Sequence, residues 1–236
     1  MNESNRAMAP STDVRQEIMM FDAALRDSFA SPPATYRPAP FLVLNDDHDD
    51  EAGAARVTQV LEGYRRIGYG GAFLHPRPGL ITEYLSPEWF ALIRHAVAEC
   101  RQLGLTPYLY DENSYPSGVG GDHVPSRVPE AHTQYVTAVF GSYPDAIPAH
   151  CIALYRWDGD RPGPALEPAE VHPEQRWIAF ILRSMQPTAW HGDTACPSLL
   201  DPQTVDAFIE TTYDAYRREL GDLWSHVPAI FTDEPL

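Results

Sequence analysis

The stretch Ala229-Ile230-Phe231-Thr232-Asp233-Glu234-Pro235-Leu236 decides how the fold is interpreted. Three apolar residues lead into two adjacent carboxylates and then a proline, which has no N–H with which to extend a sheet ladder. The pattern predicts a strand, buried on both faces, whose C-terminal tip presents acid groups. Such strands form parallel sheets, and in (β/α)8 barrels the strand tips carry the chemistry. An acidic loop after an ordinary core strand is the structural alternative.

Three earlier apolar runs end in polar residues in the same way. They are Phe41-Leu42-Val43-Leu44 before Asn45-Asp46-Asp47, Ala72-Phe73-Leu74 before His75-Pro76-Arg77, and Pro107-Tyr108-Leu109-Tyr110 before Asp111-Glu112. These strands start near residues 41, 72 and 107, a spacing that suits βαβ units. The sequence therefore predicts an α/β fold, namely the first four β/α units of a (β/α)8 TIM barrel.

Helix signals separate the predicted strands. Apolar residues at helical spacing follow the first strand and stop at Gly68, and they are Val57, Val60, Leu61, Tyr64 and Ile67. A second helix opens at Ser86-Pro87-Glu88, which supplies an N-cap, an N1 proline and a first-turn acid, and it runs to Gly104. A third opens at Asp201-Pro202 and continues to Gly221. Each helix can therefore connect two parallel strands.

The interval before the last strand is too long for one helix. Residues 135–140, 151–155 and 177–182 are strand-like runs separated by turns, which predicts an inserted antiparallel β-subdomain. We divide the chain into a tail with a short helix (1–35), the first three barrel units (36–128), the insert (129–198), and a helix with the fourth strand (199–236). Residues 1–14 are predicted to be a disordered tail, and residues 16–29 the short helix.

Four strands make half of a barrel with two open edges, and uncovered edges promote association. We therefore expect either self-association or a C-terminal half of the barrel as a partner. The chain carries 17 Lys+Arg against 33 Asp+Glu, a formal charge of −16, which argues against nucleic-acid and anionic-membrane partners. The three cysteines lack a CxxC spacing, so we expect no metal site from them. No export signal is visible at the N-terminus, so we expect a cytoplasmic protein.

Five stretches together resemble the α-L-rhamnosidase-like glycoside hydrolases, family 106 and its relatives. They are Tyr36-Arg37-Pro38-Ala39-Pro40-Phe41 with Asn45-Asp46-Asp47, Gly70-Gly71-Ala72-Phe73-Leu74-His75-Pro76-Arg77-Pro78-Gly79-Leu80, Tyr84-Leu85-Ser86-Pro87-Glu88-Trp89, Tyr110-Asp111-Glu112-Asn113-Ser114-Tyr115-Pro116-Ser117-Gly118, and Phe231-Thr232-Asp233-Glu234-Pro235. The resemblance implies an N-terminal catalytic barrel that acts on glycans, with inversion in the rhamnosidases, and sometimes a calcium ion. It also implies that the second catalytic carboxylate lies on a later strand.

Glycoside cleavage needs one protonated carboxyl group and one ionised carboxylate. We expect Glu234 to be the general acid, with its pKa raised by an apolar pocket and by the neighbouring Asp233, which orients a neighbour rather than reacting. A helix-capping or salt-bridged glutamate is the structural alternative for Glu234. Both residues are the catalytic candidates of this sequence.

The other strand tips supply the candidates for substrate binding, which are His75, Arg77, Asp111, Glu112, Tyr110, Asn45 and Asp46. Asp111 and Glu112 can bind sugar hydroxyls or a cation, serve as the second carboxylate, or brace a loop. His75 can bind a hydroxyl or pack in the core. Asn45 and Asp46 can cap a helix or bind hydroxyls or calcium. Tyr110, Tyr115 and Trp190 are candidate stacking platforms for sugar rings.

Two other functions compete with the glycosidase hypothesis. One is a non-catalytic or truncated carbohydrate-binding fragment. The other is a metal-dependent barrel hydrolase with His75, Asp111 and Glu234 as ligands, for which the paired histidines of zinc enzymes are absent. HExxH, GxGxxG, Walker and GxSxG patterns are also absent, so we expect no cofactor, and calcium enters only through the family resemblance.

Overall fold

The computed structural model describes Met20 and residues 23–113, 115–188 and 194–235, in which one sheet is parallel and another is antiparallel. The protein is therefore a mixed α/β structure, and no closed barrel is formed within these ranges. Residues 23–30 are helical, in agreement with the later part of the predicted N-terminal helix. The predicted tail, residues 1–14, and Trp190 lie outside the described residues.

The parallel sheet consists of the four predicted strands. They are β1 (Phe41–Leu44), β2 (Gly71–Pro76), β3 (Thr106–Tyr110) and β8 (Ile230–Phe231). Their order is β1-β2-β3-β8, and every neighbouring pair is parallel. Because parallel strands share one carboxyl edge, the polar residues that follow β1, β2, β3 and β8 all lie at the same edge of the sheet.

Two long helices pack on this sheet and begin and end as their sequences predict. Helix α1 (Glu51–Ile67) begins where Asp50 accepts a hydrogen bond from the Gly53 N–H, and it ends at Gly68 with φ of 95°. Helix α2 (Pro87–Leu103) begins at Ser86, which accepts from the Trp89 N–H. The apolar stripe of α1 is narrower than predicted, since Val60 and Ile67 are exposed.

The short helix α3 (His123–Arg127) precedes the insert, and the predicted third helix follows it as two pieces. These are α4 (Pro202–Thr211) and α5 (Tyr213–Leu220). At Thr212 the side-chain hydroxyl donates to the Phe208 carbonyl at 2.7 Å, a back-bond of the kind that bends helices, and a single turn residue separates the two helices there. None of the helices in the described ranges is long and apolar enough to cross a membrane.

The antiparallel sheet lies within the range predicted for the insert. Its strands are β4 (Gln134–Ser142), β5 (Cys151–Trp157), β6 (Pro162–Ala165) and β7 (Arg176–Ser184), in the order β4-β7-β5-β6. Three of them confirm the strand-like runs of the sequence. Strand β6 was not predicted, because its two prolines are unfavourable in a sheet interior, but it lies at the sheet edge, where proline is tolerated.

The two faces of the parallel sheet have different neighbours. One face, which we call the covered face, packs on α1, α2 and α5 and consists of Leu42, Leu44, Ala72, Leu74 and Leu109. The other, which we call the open face, consists of Phe41, Val43, Phe73, Tyr108 and Phe231. Phe41 remains 42% exposed and Val43 48% exposed, so the open face is incompletely buried. The carboxyl end of the open face adjoins the candidate site.

Candidate functional site

The tips of β2, β3 and β8 meet at the carboxyl edge of the sheet. The Tyr110 hydroxyl donates a hydrogen bond to Asp233 Oδ2 at 2.8 Å. The Tyr110 ring also meets the His75 ring edge to face, with centroids 3.9 Å apart. The structure therefore brings one catalytic candidate, Asp233, together with the substrate-binding candidates Tyr110 and His75.

His75 is a buried aromatic neighbour of the open face. It is 1% exposed and stacks on Phe41 with a centroid distance of 4.4 Å. The pKa of His75 is lowered to about 4, mainly by burial and also by the charge of Arg77, while the charge of Asp233 acts in the opposite direction. Within the described ranges neither ring nitrogen has a hydrogen-bond partner. His75 is therefore a neutral imidazole at neutral pH, with one N–H donor and one acceptor that no described group satisfies.

Arg77 adds a positive charge to the same edge. Its Nη1 atom is buried and has no hydrogen-bond partner in the part of the chain that the structure describes. Its charge also acts on the Tyr110 hydroxyl, whose pKa is nevertheless raised by burial and by the hydrogen bond to Asp233. Tyr110 therefore stays protonated and donates to Asp233. His75 in β2 and Arg77 just after it therefore carry buried polar atoms for which the described residues supply no partner.

Glu234 lies at the rim of this cluster. Its side chain accepts a hydrogen bond from the Tyr115 hydroxyl, and the residue is exposed. The apolar pocket that we expected around Glu234 is not formed by the described residues, because the open face that it adjoins has no covering layer. Glu234 also has a φ of 41°, a left-handed conformation that is costly for a residue other than glycine.

Asp111 is enclosed by hydroxyl donors. It accepts hydrogen bonds from Ser117 Oγ at 2.6 Å, Tyr213 Oη at 2.7 Å and Thr232 Oγ1 at 2.7 Å. Burial raises the pKa of Asp111 although all three bonds lower it. Because these donors come from a loop, from α5 and from the tip of β8, the carboxylate connects three parts of the fold. The geometry favours the bracing role of Asp111 over direct substrate binding.

Glu112 is also fully buried, and it accepts hydrogen bonds from the backbone N–H groups of Asn113 and of residues 118–121. Its carboxylate therefore faces the loop, which favours the loop-bracing alternative for this residue as well. The sequence pattern did not identify Ser117, Thr232 or Tyr213 as site residues. The glycines at 118, 120 and 121, which follow an acidic strand tip, were the available signal for such a loop.

Asn45 and Asp46 follow β1 and are exposed. Asp46 Oδ1 accepts from the Asp47 N–H at 2.8 Å, as in a turn. Among the described residues no hydrogen bond joins either side chain to Asp233 or Glu234. The structure therefore does not bring these two predicted binding residues into the Tyr110 cluster.

The described residues do not fit the calcium ion that the family resemblance implies. Within these ranges no three His, Cys, Asp or Glu side chains are grouped as a metal site. Among the described residues His75, Asp111 and Glu234 are not grouped as a ligand set, so no described cluster supports the metal-dependent hydrolase. Asp111 instead accepts hydrogen bonds from three hydroxyl groups.

The chain has a distant structural neighbour among solved proteins. No family model matches the chain, and no curated protein matches it. A rhamnosidase from Novosphingobium sp. PP1Y has a similar structure over 59% of this chain, with a TM-score of 0.37 and 18% sequence identity. The aligned part is 12% of that rhamnosidase, so this chain spans a small fraction of its length.

Proposed function

We propose that this chain forms the first four β/α units of a (β/α)8 barrel that hydrolyses O-glycosidic bonds, similar to an α-L-rhamnosidase. Glu234 is the general acid, and Asp233 is the carboxylate beside it. One observation carries the proposal: the Tyr110–Asp233 hydrogen bond of 2.8 Å joins the acidic tip of β8 to the tip of β3, next to His75. Catalytic groups of (β/α)8 enzymes lie at this edge of the sheet.

The residues at the edge suit the steps of glycoside hydrolysis. Glu234 gives its proton to the glycosidic oxygen as the bond to the sugar breaks. The Tyr115 hydroxyl, which donates to the Glu234 carboxyl group, then stabilises the carboxylate that is left. Tyr110 and Ser117 hold Asp233 in one orientation. The second reacting carboxylate comes from the other half of the barrel.

The backbone of Glu234 supports its assignment to catalysis. A glutamate with a φ of 41° stores conformational free energy, on the order of 1–3 kcal/mol for such residues. Strained residues of this kind concentrate at active sites, where the surrounding structure imposes an orientation that the side chain needs. A glutamate whose purpose was solubility would gain nothing from this conformation.

The end of β2 and the open face bind the substrate. The neutral ring of His75 and the guanidinium of Arg77 bind sugar hydroxyls, which satisfy their unpaired polar atoms. Exposed aromatic rings at the same end, such as Phe41 and Phe231, pack against the apolar faces of sugar rings. Self-association or a C-terminal half of the barrel covers the remainder of the open face and encloses Glu234.

The test is hydrolysis of a panel of aryl glycosides, including an aryl α-L-rhamnoside, by the full chain and its variants, each assembled with the other half of the barrel, which supplies the second carboxylate. Glu234→Gln should lower turnover at least about 100-fold, because general acid catalysis contributes roughly 10²–10⁴-fold. Glu62→Gln, at an exposed position of α1, is the matched control and should leave turnover unchanged. Full turnover by Glu234→Gln, with the wild-type circular dichroism spectrum, would exclude Glu234 as the acid.

A carbohydrate-binding protein without catalysis is the second candidate. The exposure of Glu234 favours it, because an acid catalyst normally needs a desolvated carboxyl group. This alternative predicts that the wild-type chain binds sugars, measured by calorimetry, but hydrolyses none of the aryl glycosides. Hydrolysis that depends on Glu234 would reject it.

A further inference from the structure

The Glu112 carboxylate receives five backbone N–H groups from the loop that follows it. Oε1 accepts from Asn113 at 2.9 Å and from Gly121 at 2.8 Å. Oε2 accepts from Gly118 at 3.2 Å, Val119 at 2.8 Å and Gly120 at 2.6 Å. A carboxylate has about four lone-pair positions, so five donors use its full capacity. No acceptor site remains for a substrate hydroxyl.

The loop can converge on one carboxylate because glycines occupy its turning points. Gly118, Gly120 and Gly121 have φ of 131°, 61° and 57°. A Cβ atom on Gly121 would lie 2.5 Å from Tyr84 Cδ1, which is too close for any other residue. Successive N–H groups in such a conformation form a concave anion-binding nest. Here the anion is a side chain of the protein itself.

The same loop holds the proposed catalytic edge. The Ser117 N–H donates to the Asp233 carbonyl at 2.9 Å, and the Asp233 N–H donates to Ser117 Oγ at 2.9 Å. Tyr115, two residues earlier, donates to Glu234. The loop that Glu112 holds is therefore hydrogen-bonded at the tip of β8 to the backbone of Asp233 and to the carboxyl group of Glu234.

We infer that Glu112 is a positioning residue, which fixes loop 113–121 so that Ser117 and Tyr115 hold Asp233 and Glu234 in their working orientation. The inference rests on the proposed function for the meaning of that orientation. Glu112 itself touches neither substrate nor reacting atoms. A glutamine at this position keeps the shape but replaces one acceptor oxygen with an NH2 group, which cannot accept from the backbone donors.

The test is amide hydrogen exchange and nuclear Overhauser contacts by NMR on the full chain. In Glu112→Gln the amides of Val119, Gly120 and Gly121 should lose at least about tenfold protection, since each faces a lost or weakened acceptor. The contact between the Tyr115 ring and the Glu234 side chain should disappear together with that protection. Amides of β2 should keep their protection. Persistence of the Tyr115–Glu234 contact despite the lost protection would overturn the inference.

Ser117→Ala is the milder variant and keeps the test decisive if Glu112→Gln does not fold. It should leave the protection of the Val119, Gly120 and Gly121 amides unchanged. The protection of the Asp233 amide should fall, because alanine lacks the Oγ acceptor. Unchanged protection at Asp233 would contradict the connection. These measurements need no turnover, so a chain that hydrolyses nothing counts against the proposed function and not against the positioning role.

If the chain hydrolyses a substrate, the kinetics separate positioning from folding. Glu112→Gln should lower kcat roughly 10–100-fold, because small misplacements of catalytic groups have effects of this size, and should change KM less than about twofold. Glu112→Asp keeps the charge and should recover part of kcat. A loss confined to KM would place Glu112 in substrate binding and overturn the inference.

Discussion

The two faces of the parallel sheet are built from alternate residues of the same strands, yet they are chemically different. The covered face is aliphatic, and its members Leu44, Leu74 and Leu109 are 1% exposed or less. The open face is aromatic, and its rings contact one another at centroid distances such as 5.4 Å between Phe41 and Phe231. Parallel sheets normally have both faces covered. The difference teaches that, among the described residues, the helices bury the aliphatic face, whereas the aromatic face remains partly exposed.

The carboxyl edge is where the two faces meet. Asp111 connects the edge to the covered side through Tyr213 of α5, whereas Asp233 connects it to the open side through Tyr110. The helices on the covered face can therefore hold polar groups in place beside the partly exposed open face.

The strongest test of the comparison uses adjacent residues of β1. Leu44→Ala should lower the free energy of unfolding by about 3 kcal/mol, because it removes buried methyl groups from the covered face. Val43→Ala, which points to the opposite face and is 48% exposed, should cost less than about 1 kcal/mol. Urea unfolding followed by circular dichroism measures both. Equal losses would mean that the open face is packed in solution.

A second test removes the brace at the edge. Asp111→Asn should lower the free energy of unfolding by about 2 kcal/mol, because one of its oxygens becomes an NH2 group facing hydroxyl donors. Asp206→Asn, at an exposed position of α4, is the control and should change it little. Urea unfolding again gives the values. If the two variants are equally stable, Asp111 does not hold the edge.

A third test concerns the pH dependence of the free energy of unfolding that results from the burial of His75. Its folded-state pKa of about 4 is below the unfolded value of 6.5, so the unfolded chain binds more protons between these pH values. This contribution to stability is complete above pH 6.5 and is lost as the pH falls towards 4. His75→Phe, which keeps an aromatic ring against Phe41, should lose stability less steeply over that range. Parallel curves of unfolding free energy against pH for wild type and variant would contradict the burial of His75.

The smallest expected effect on stability comes from the open face itself. Phe41→Ser should reduce the fluorescence of bound anilinonaphthalene sulfonate and weaken self-association in sedimentation experiments, because exposed aromatic patches bind apolar dyes and other chains. Ile209→Ser on α4 is a matched control, since both residues are 42% exposed. A similar loss of dye binding in both variants would show that the open face binds the dye no better than another exposed apolar position does.

Much of the fold follows from local sequence. The runs that became β1, β2 and β3, the Asp50 and Ser86 caps, and the glycines that end α1 and α2 act through neighbouring residues, so they could be predicted. The edge strand β6 could not be predicted, because two prolines are tolerated only at a sheet edge and the position of the strand in the sheet depends on tertiary contacts. The interruption at Thr212 could not be predicted either, because the sequence does not show that the hydroxyl donates to the Phe208 carbonyl. The position of the polar residues at one edge of the sheet could be predicted, because it follows from the parallel direction of the strands alone.

The sequence by itself determined that four parallel strands end in polar residues and that acidic side chains crowd one edge of the sheet, because alternation and capping are local. Only the tertiary structure decided which of these carboxylates have all their acceptor positions filled by hydrogen-bond donors of the protein. Glu112 and Asp233 both follow a strand, but the first is enclosed by five N–H donors from its own loop and the second faces the open side. The physical reason is that a carboxylate's role depends on the donors that reach it, and these depend on how the loop after Glu112 folds back on it and on which strand brings Tyr110 to Asp233, 123 residues away in the chain.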